Sequence, residues 1–168
     1  MKKRIFTILS ILIISLTMDL MSQPIYKDKN IAIFNPSNEE KEQLNYLRYE
    51  AIKFIKEKTK KEITKPISIE LLQEAINLTN KNTNENILYG FGVLLGDYFV
   101  EKHKMKWITI EDEYGKDLVI SIEKTLYYVG VITIISKRVE NNEKVDVQFI
   151  ISQIEKHMKE NLKDYKTY

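Results

Sequence analysis

Cysteine is absent from this 168-residue sequence, and histidine occurs twice, as His103 and His157. The first absence excludes a disulfide scaffold, a thiol nucleophile, a zinc ribbon and a lipid-anchored lipoprotein. Two isolated histidines outside any HExxH pattern exclude a His-rich metal centre. No metal site and no cofactor is therefore expected. Three prolines and five glycines exclude a collagen-like chain. No internal repeat is visible, so a solenoid is excluded as well.

What is present suits a single globular domain. The chain is 43% hydrophobic and 30% charged, enough apolar material for one core at this length. It opens on the positive run Met1-Lys2-Lys3-Arg4. Ile5 to Met18 follows, with 10 apolar residues in 14. As a helix that run spans roughly 21 Å, short of a hydrocarbon core of ~30 Å. This is the anatomy of a signal peptide, with cleavage expected after Ser22. Leu20 fits the A-x-A cleavage pattern poorly, so a retained leader acting as a membrane anchor is the rival reading. The domain plan is a signal peptide over 1–22, an extended lead-in over 23–36 and one α+β domain over 37–168. The expected location is periplasmic or secreted.

Cleavage changes the charge balance. The leader holds three of the 26 Lys+Arg and one of the 24 Asp+Glu, which leaves 23 of each. A neutral mature chain is no nucleic-acid footprint. Arg48 and Arg138 are its only arginines, which further weakens phosphate recognition.

Ser37-x-x-Glu40 reads as a capping box that opens a helix. Leu44, Leu47, Ala51, Phe54 and Ile55 recur behind it at helical spacing. Ser68 is a candidate N-cap for a second helix, with Ile67 and Leu72 at staple positions and Leu72, Ala75 and Ile76 buried. Residues 77–86, rich in Asn, form a loop. A third helix is predicted over 86–103, its stripe made of Ile87, Leu88, Phe91, Leu94, Leu95 and Tyr98. Gly92 and Gly96 share a face there, which suggests close packing of a second element. Residues 107–110, 118–122 and 126–136 are predicted strands. The last is apolar on both faces and so expected to be covered on both sides, with a bulge or close approach at Gly130. A final helix over 146–162 buries Val147, Ile150, Ile151, Ile154 and Met158. N-terminal helices, a three-stranded antiparallel sheet and a C-terminal helix make an α+β fold.

No constellation commits to catalysis. Gly90-x-Gly92-x-x-x-Gly96 is not GxGxxG and lies in no βαβ unit. Ser121-x-x-Lys124 ends a strand and lacks the partners of a serine–lysine acyltransferase. Glu111, Asp112 and Glu113 form the densest acidic cluster. Strand alternation sends Glu111 and Glu113 to one side and Asp112 to the other. Glu111 and Glu113 with Asp97 are the acid/base candidates for a glycan hydrolase, whose carboxylates stand ~5–9.5 Å apart. The plainer reading is a hydrophilic hairpin end. Arg138 can clamp a carboxylate bidentately, with Asp112, Asp97 or Glu140 as its target. Such a network serves structure or binding equally well.

The ordered set Gly92-x-x-x-Gly96-Asp97, Trp107, Glu111-Asp112-Glu113-Tyr114-Gly115 and Ile135-Ser136-Lys137-Arg138-Val139-Glu140 resembles the bacterial domain-of-unknown-function family 3806, over residues ~70–150. The resemblance implies no activity. It implies that Asp97, Trp107, Tyr114, Gly115, Lys137, Arg138 and Glu140 occupy signature positions.

The sequence therefore points to an exported envelope binding or accessory module that recognises a protein or peptide partner. An immunity-type role is one version of it. The expected binding residues are Trp107, Asp112, Tyr114, Lys137, Arg138 and Glu140, an aromatic anchor beside paired charges. No nucleic acid is expected, and a membrane only through a retained leader. The alternatives are a carboxylate-based cell-wall hydrolase and a purely structural domain with a buried charged network.

Overall fold

A computed structural model describes residues 24–161 and Thr167. The leader, and with it the expected cleavage after Ser22, lies outside the described residues.

Five strands form one antiparallel sheet: β1 (Tyr26–Lys27), β2 (Ala32–Phe34), β3 (Lys106–Asp112), β4 (Gly115–Ser121) and β5 (Tyr128–Val129). Their spatial order follows the chain, although three helices intervene between β2 and β3. Those are α1 (Asn38–Thr59), α2 (Ile69–Asn77) and α3 (Glu85–His103). A short α4 (Ser136–Glu140) and α5 (Val147–Asn161) complete the chain. The α+β class stands, but the sheet has five strands rather than three. The extended lead-in supplies the extra pair β1 and β2, too short to show a period in sequence.

Local chemistry explains the helix starts. Ser37 accepts from the Glu40 N–H at 3.1 Å, and the Ser37 N–H donates to Glu40 Oε2 at 2.6 Å, the reciprocal pairing of a capping box. The same Glu40 oxygen accepts from Thr109 Oγ1 at 2.9 Å, so the cap also pins α1 to β3. Ser68 caps α2 through the Leu71 N–H.

α3 is the central helix. Its buried residues run round the whole barrel: Leu88, Phe91, Val93, Leu94, Leu95, Tyr98 and Phe99. Three glycines allow this. A Cβ on Gly90 would meet the Leu47 carbonyl at 2.2 Å, and one on Gly92 the Ile132 carbonyl at 2.2 Å. Gly90 thus receives α1, while Gly92 and Gly96 receive the other side, as their shared face suggests. The helix-weakening cost of glycine, ~1 kcal/mol each, is offset by backbone approaches that no other residue permits.

The helices cover one face of the sheet, through Trp107, Leu118 and Ile120. The opposite face carries a second cluster of Ile33, Ile108, Ile110 and Val119, with Tyr26, Ile31 and Leu126 against it.

The apolar run 126–136 is not a strand. Only Tyr128 and Val129 pair with β4, through Ser121 and Ile120. The chain then turns and enters α4. The run is apolar because Tyr127, Val131 and Ile135, each at most 1% exposed, point into the helical core. Unbroken hydrophobicity does not distinguish a buried strand from a buried turn. Gly130 makes no close approach, since nothing lies within 4 Å of its Cβ position. Thr167 forms an antiparallel bridge with Thr125, between β4 and β5.

Candidate functional site

The most connected polar group on the helix side is Asp97. It sits on α3, where Arg48 reaches over from α1. Arg48 Nε donates to Asp97 Oδ2 at 2.5 Å and Nη2 to Oδ1 at 2.9 Å. Trp107 Nε1 donates to the same Oδ1 at 3.1 Å, and Arg48 Nη1 donates to Asn45 Oδ1 at 2.6 Å. The two charged side chains are 25% and 27% exposed. Two parallel N–H donors on one carboxylate form the strong, directional type of ion pair. Three elements, α1, α3 and β3, meet at this carboxylate.

Asp97 and Trp107 were singled out in the sequence, and the structure brings them together. Arg48 was not. Its signal was present: an arginine one position after Leu47, beside the buried stripe, in a chain with only three arginines. Asp97 meets Trp107 near the start of β3, whereas Glu111 and Glu113 belong to its far end. Trp107 and Asp112 are five residues apart, roughly 17 Å along a strand.

Glu111, Asp112, Glu113 and Tyr114 gather at the β3–β4 turn. Asp112 pairs with Gly115 across it, and Asp112 Oδ1 accepts from the Tyr114 N–H at 2.8 Å. Gly115 has φ 124°, a conformation that suits glycine. Glu111 faces Lys116 at 3.6 Å. Tyr114 is 90% exposed. The β1–β2 turn lies at the same sheet end, because Lys27 pairs with Ala32 and Ala32 with Glu111. Between the two turns runs an open cleft of about 1070 Å³. Its charged walls are Lys27, Asp28 and Lys29 on one side and Glu111, Asp112 and Glu113 on the other. Ile31, Ala32, Phe34, Leu126 and Tyr128 add apolar surface, and Tyr114 stands among the lining residues.

Lys137, Arg138 and Glu140 lie on α4. Lys137 and Glu140 are exposed. Arg138 Nη1 donates to the Ile134 carbonyl at 2.6 Å, and none of the carboxylates Asp97, Asp112 or Glu140 is its partner among the described ion pairs. The bidentate clamp expected of Arg138 is made by Arg48 instead. The physical reason is the turn at 130–135: it places Arg138 on a helix, where its side chain folds back on a carbonyl four residues earlier. The six expected binding residues therefore fall into three groups, Trp107 with Asp97, Asp112 with Tyr114, and the α4 trio.

Two further polar contacts were not legible. Tyr89 donates to Glu85 one turn earlier on α3. That hydrogen bond, then burial, then the charges of Glu85 and Glu140 push the phenol up to about 12. His103 stacks on Phe99 at 5.3 Å and meets Glu155 at 2.9 Å, joining α3 to α5. Among the described residues no group of acidic or histidine side chains could hold a metal ion. No helix among them is long and apolar enough to cross a membrane.

Residues 68–150 match DUF3806, a domain of unknown function. Asp97, Trp107, the β3–β4 turn and α4 all lie inside the DUF3806 match, whereas Arg48 and the β1–β2 turn lie outside it. A crystal structure of a protein from Bacteroides thetaiotaomicron VPI-5482 is similar in fold, with a TM-score of 0.59 at 13% identity. The similarity covers 74% of this chain and 47% of that one, so the chain spans about half the length of that protein. At this identity the likeness concerns the fold alone. No curated protein is similar in sequence.

Proposed function

We propose that this protein is a small exported binding or accessory module of the bacterial envelope, which recognises a protein or peptide partner at the hairpin end of its sheet. One observation carries the reading. Tyr114, 90% exposed, stands on a two-residue turn, held by the Asp112 side chain, beside an open cleft with charged walls and apolar surface. Exposed aromatics on rigid turns are favoured anchors for a partner, since they offer large contact area at small entropic cost. Export is supported by the Met1–Ser22 pattern alone. Glycan hydrolysis draws no support from the geometry, because Asp97 is paired with Arg48 through both carboxylate oxygens.

The test is photo-crosslinking from position 114 in the native host, with mass spectrometry of the purified envelope pool. A chain beginning at Gln23, linked to one stoichiometric companion, is the expected result. Tyr114→Ser should reduce recovery of that companion and leave folding intact, since an exposed side chain contributes within about 0.5 kcal/mol. An intact leader, or no companion at any position around the cleft, would remove the reading.

A second reading is favoured by a specific observation. Arg48, Asp97 and Trp107 form a charged network that joins three elements. On that reading the signature residues serve the architecture of a structural domain. The crosslinking experiment separates the two, because a structural domain leaves position 114 without a specific companion.

A further inference from the structure

We propose that the Asp97 carboxylate, oriented by Trp107, is a preorganised guanidinium receptor that this chain fills with its own Arg48. Three observations carry it. Both carboxylate oxygens are matched to a guanidinium edge, at 2.5 and 2.9 Å. An ammonium is a point charge and cannot make that paired contact.

The carboxylate also has a second donor besides Arg48. Trp107 Nε1 donates to Oδ1 at 3.1 Å. Trp107 is itself locked, since its ring packs where a Gly96 Cβ would stand, 2.3 Å from Cζ2. The receptor therefore keeps its orientation when its ligand is absent.

Third, receptor and ligand belong to different parts of the chain. Asp97 and Trp107 lie within the stretch 68–150 that matches the domain family, and Arg48 lies before it. Arg48 and Asp97 are each about one-quarter exposed, so the contact is partly desolvated yet open to a small cation. The site thus adds a polar latch to α1, a helix that its apolar stripe and the Glu40–Thr109 bond also hold against α3 and β3. The chemistry defines the ligand class as an alkylguanidinium, the end of an arginine side chain. This inference concerns a different site from the cleft and survives if no partner docks there.

The experiment removes the resident ligand and supplies it in trans. Arg48→Ala in the full chain should lower the melting temperature by roughly 4–8 °C. Titration with N-ethylguanidinium, at concentrations far below those that denature, should then restore part of that loss. It should also shift the emission of Trp107, the sole tryptophan. Ethylammonium should do neither, and the double variant R48A/D97N should not respond to either cation. A missing response to N-ethylguanidinium, an equal response to both cations, or a response that survives D97N would overturn the proposal. Should R48A fail to fold, Arg48→Lys decides the matter. A guanidinium receptor leaves the lysine variant clearly less stable than the parent, whereas equal stability would show that charge alone is read.

Discussion

The indole of Trp107 lies directly on the backbone of Gly96: a Cβ there would stand 2.3 Å from Cζ2 and 2.7 Å from Cη2 of the ring. One glycine on α3 thus sets how deeply β3 packs and where the indole N–H points. That N–H reaches Asp97, the next residue on the helix. Packing and polar recognition at this corner are one arrangement.

Gly96→Ala should accordingly destabilise the fold by about 1–3 kcal/mol, the usual cost of overpacking a filled site. The added methyl has to displace a locked ring rather than the free end of a flexible chain. Urea denaturation gives the energy, and Trp107 emission reports whether the ring has moved towards water. A neutral substitution would show that the corner is loosely packed.

Arg48 and Arg138 should differ in weight. Arg48→Ala removes a paired, charge-assisted contact and should cost about 2 kcal/mol, after a discount for its exposure. Arg138→Ala removes a bond to one backbone carbonyl and should cost about 1 kcal/mol. Equal losses in chemical denaturation, or the reverse order, would contradict the network drawn around Asp97.

At the start of α1, Glu40 has two roles and Ser37 one. Ser37→Ala should cost about 1 kcal/mol as a lost cap. Glu40→Ala also strips the partner from Thr109 Oγ1, in a residue only 2% exposed. A stranded hydroxyl adds about 1–3 kcal/mol, so Glu40→Ala is expected to be the more damaging change. Calorimetric melting of the two variants ranks them.

Tyr89 should ionise late. Its phenol is raised to about 12, first by the hydrogen bond to Glu85. A folded-state value above the unfolded one favours the neutral form. Its contribution to stability is therefore fully present below the ordinary tyrosine value near 10 and is lost as pH rises through 12. Glu85→Gln should bring the midpoint down towards that ordinary value, as read by tyrosinate absorbance. An unchanged midpoint would remove Glu85 as the cause.

Much was legible from the sequence by itself. It marked both helix caps, the apolar stripe of α1 and the core of α5, because capping and the 3.6-residue period act through neighbours in the chain. It also marked Gly92 and Gly96 as one close-packed face, and the α+β class. Tertiary structure decided the rest. It recruited residues 26–34 as a two-stranded edge, in which β1 pairs with β2 and β2 pairs with β3, more than 70 residues further along the chain. It broke the run 126–136 into a two-residue strand and a turn that leads into α4, although the four-residue spacing of Tyr127, Val131 and Ile135 was there to be read. It also gave Asp97 to Arg48, 49 positions earlier, rather than to Arg138. Local rules determine which segments become helices. Which guanidinium meets which carboxylate depends on how those helices are stacked, and that is settled by the core and its glycines.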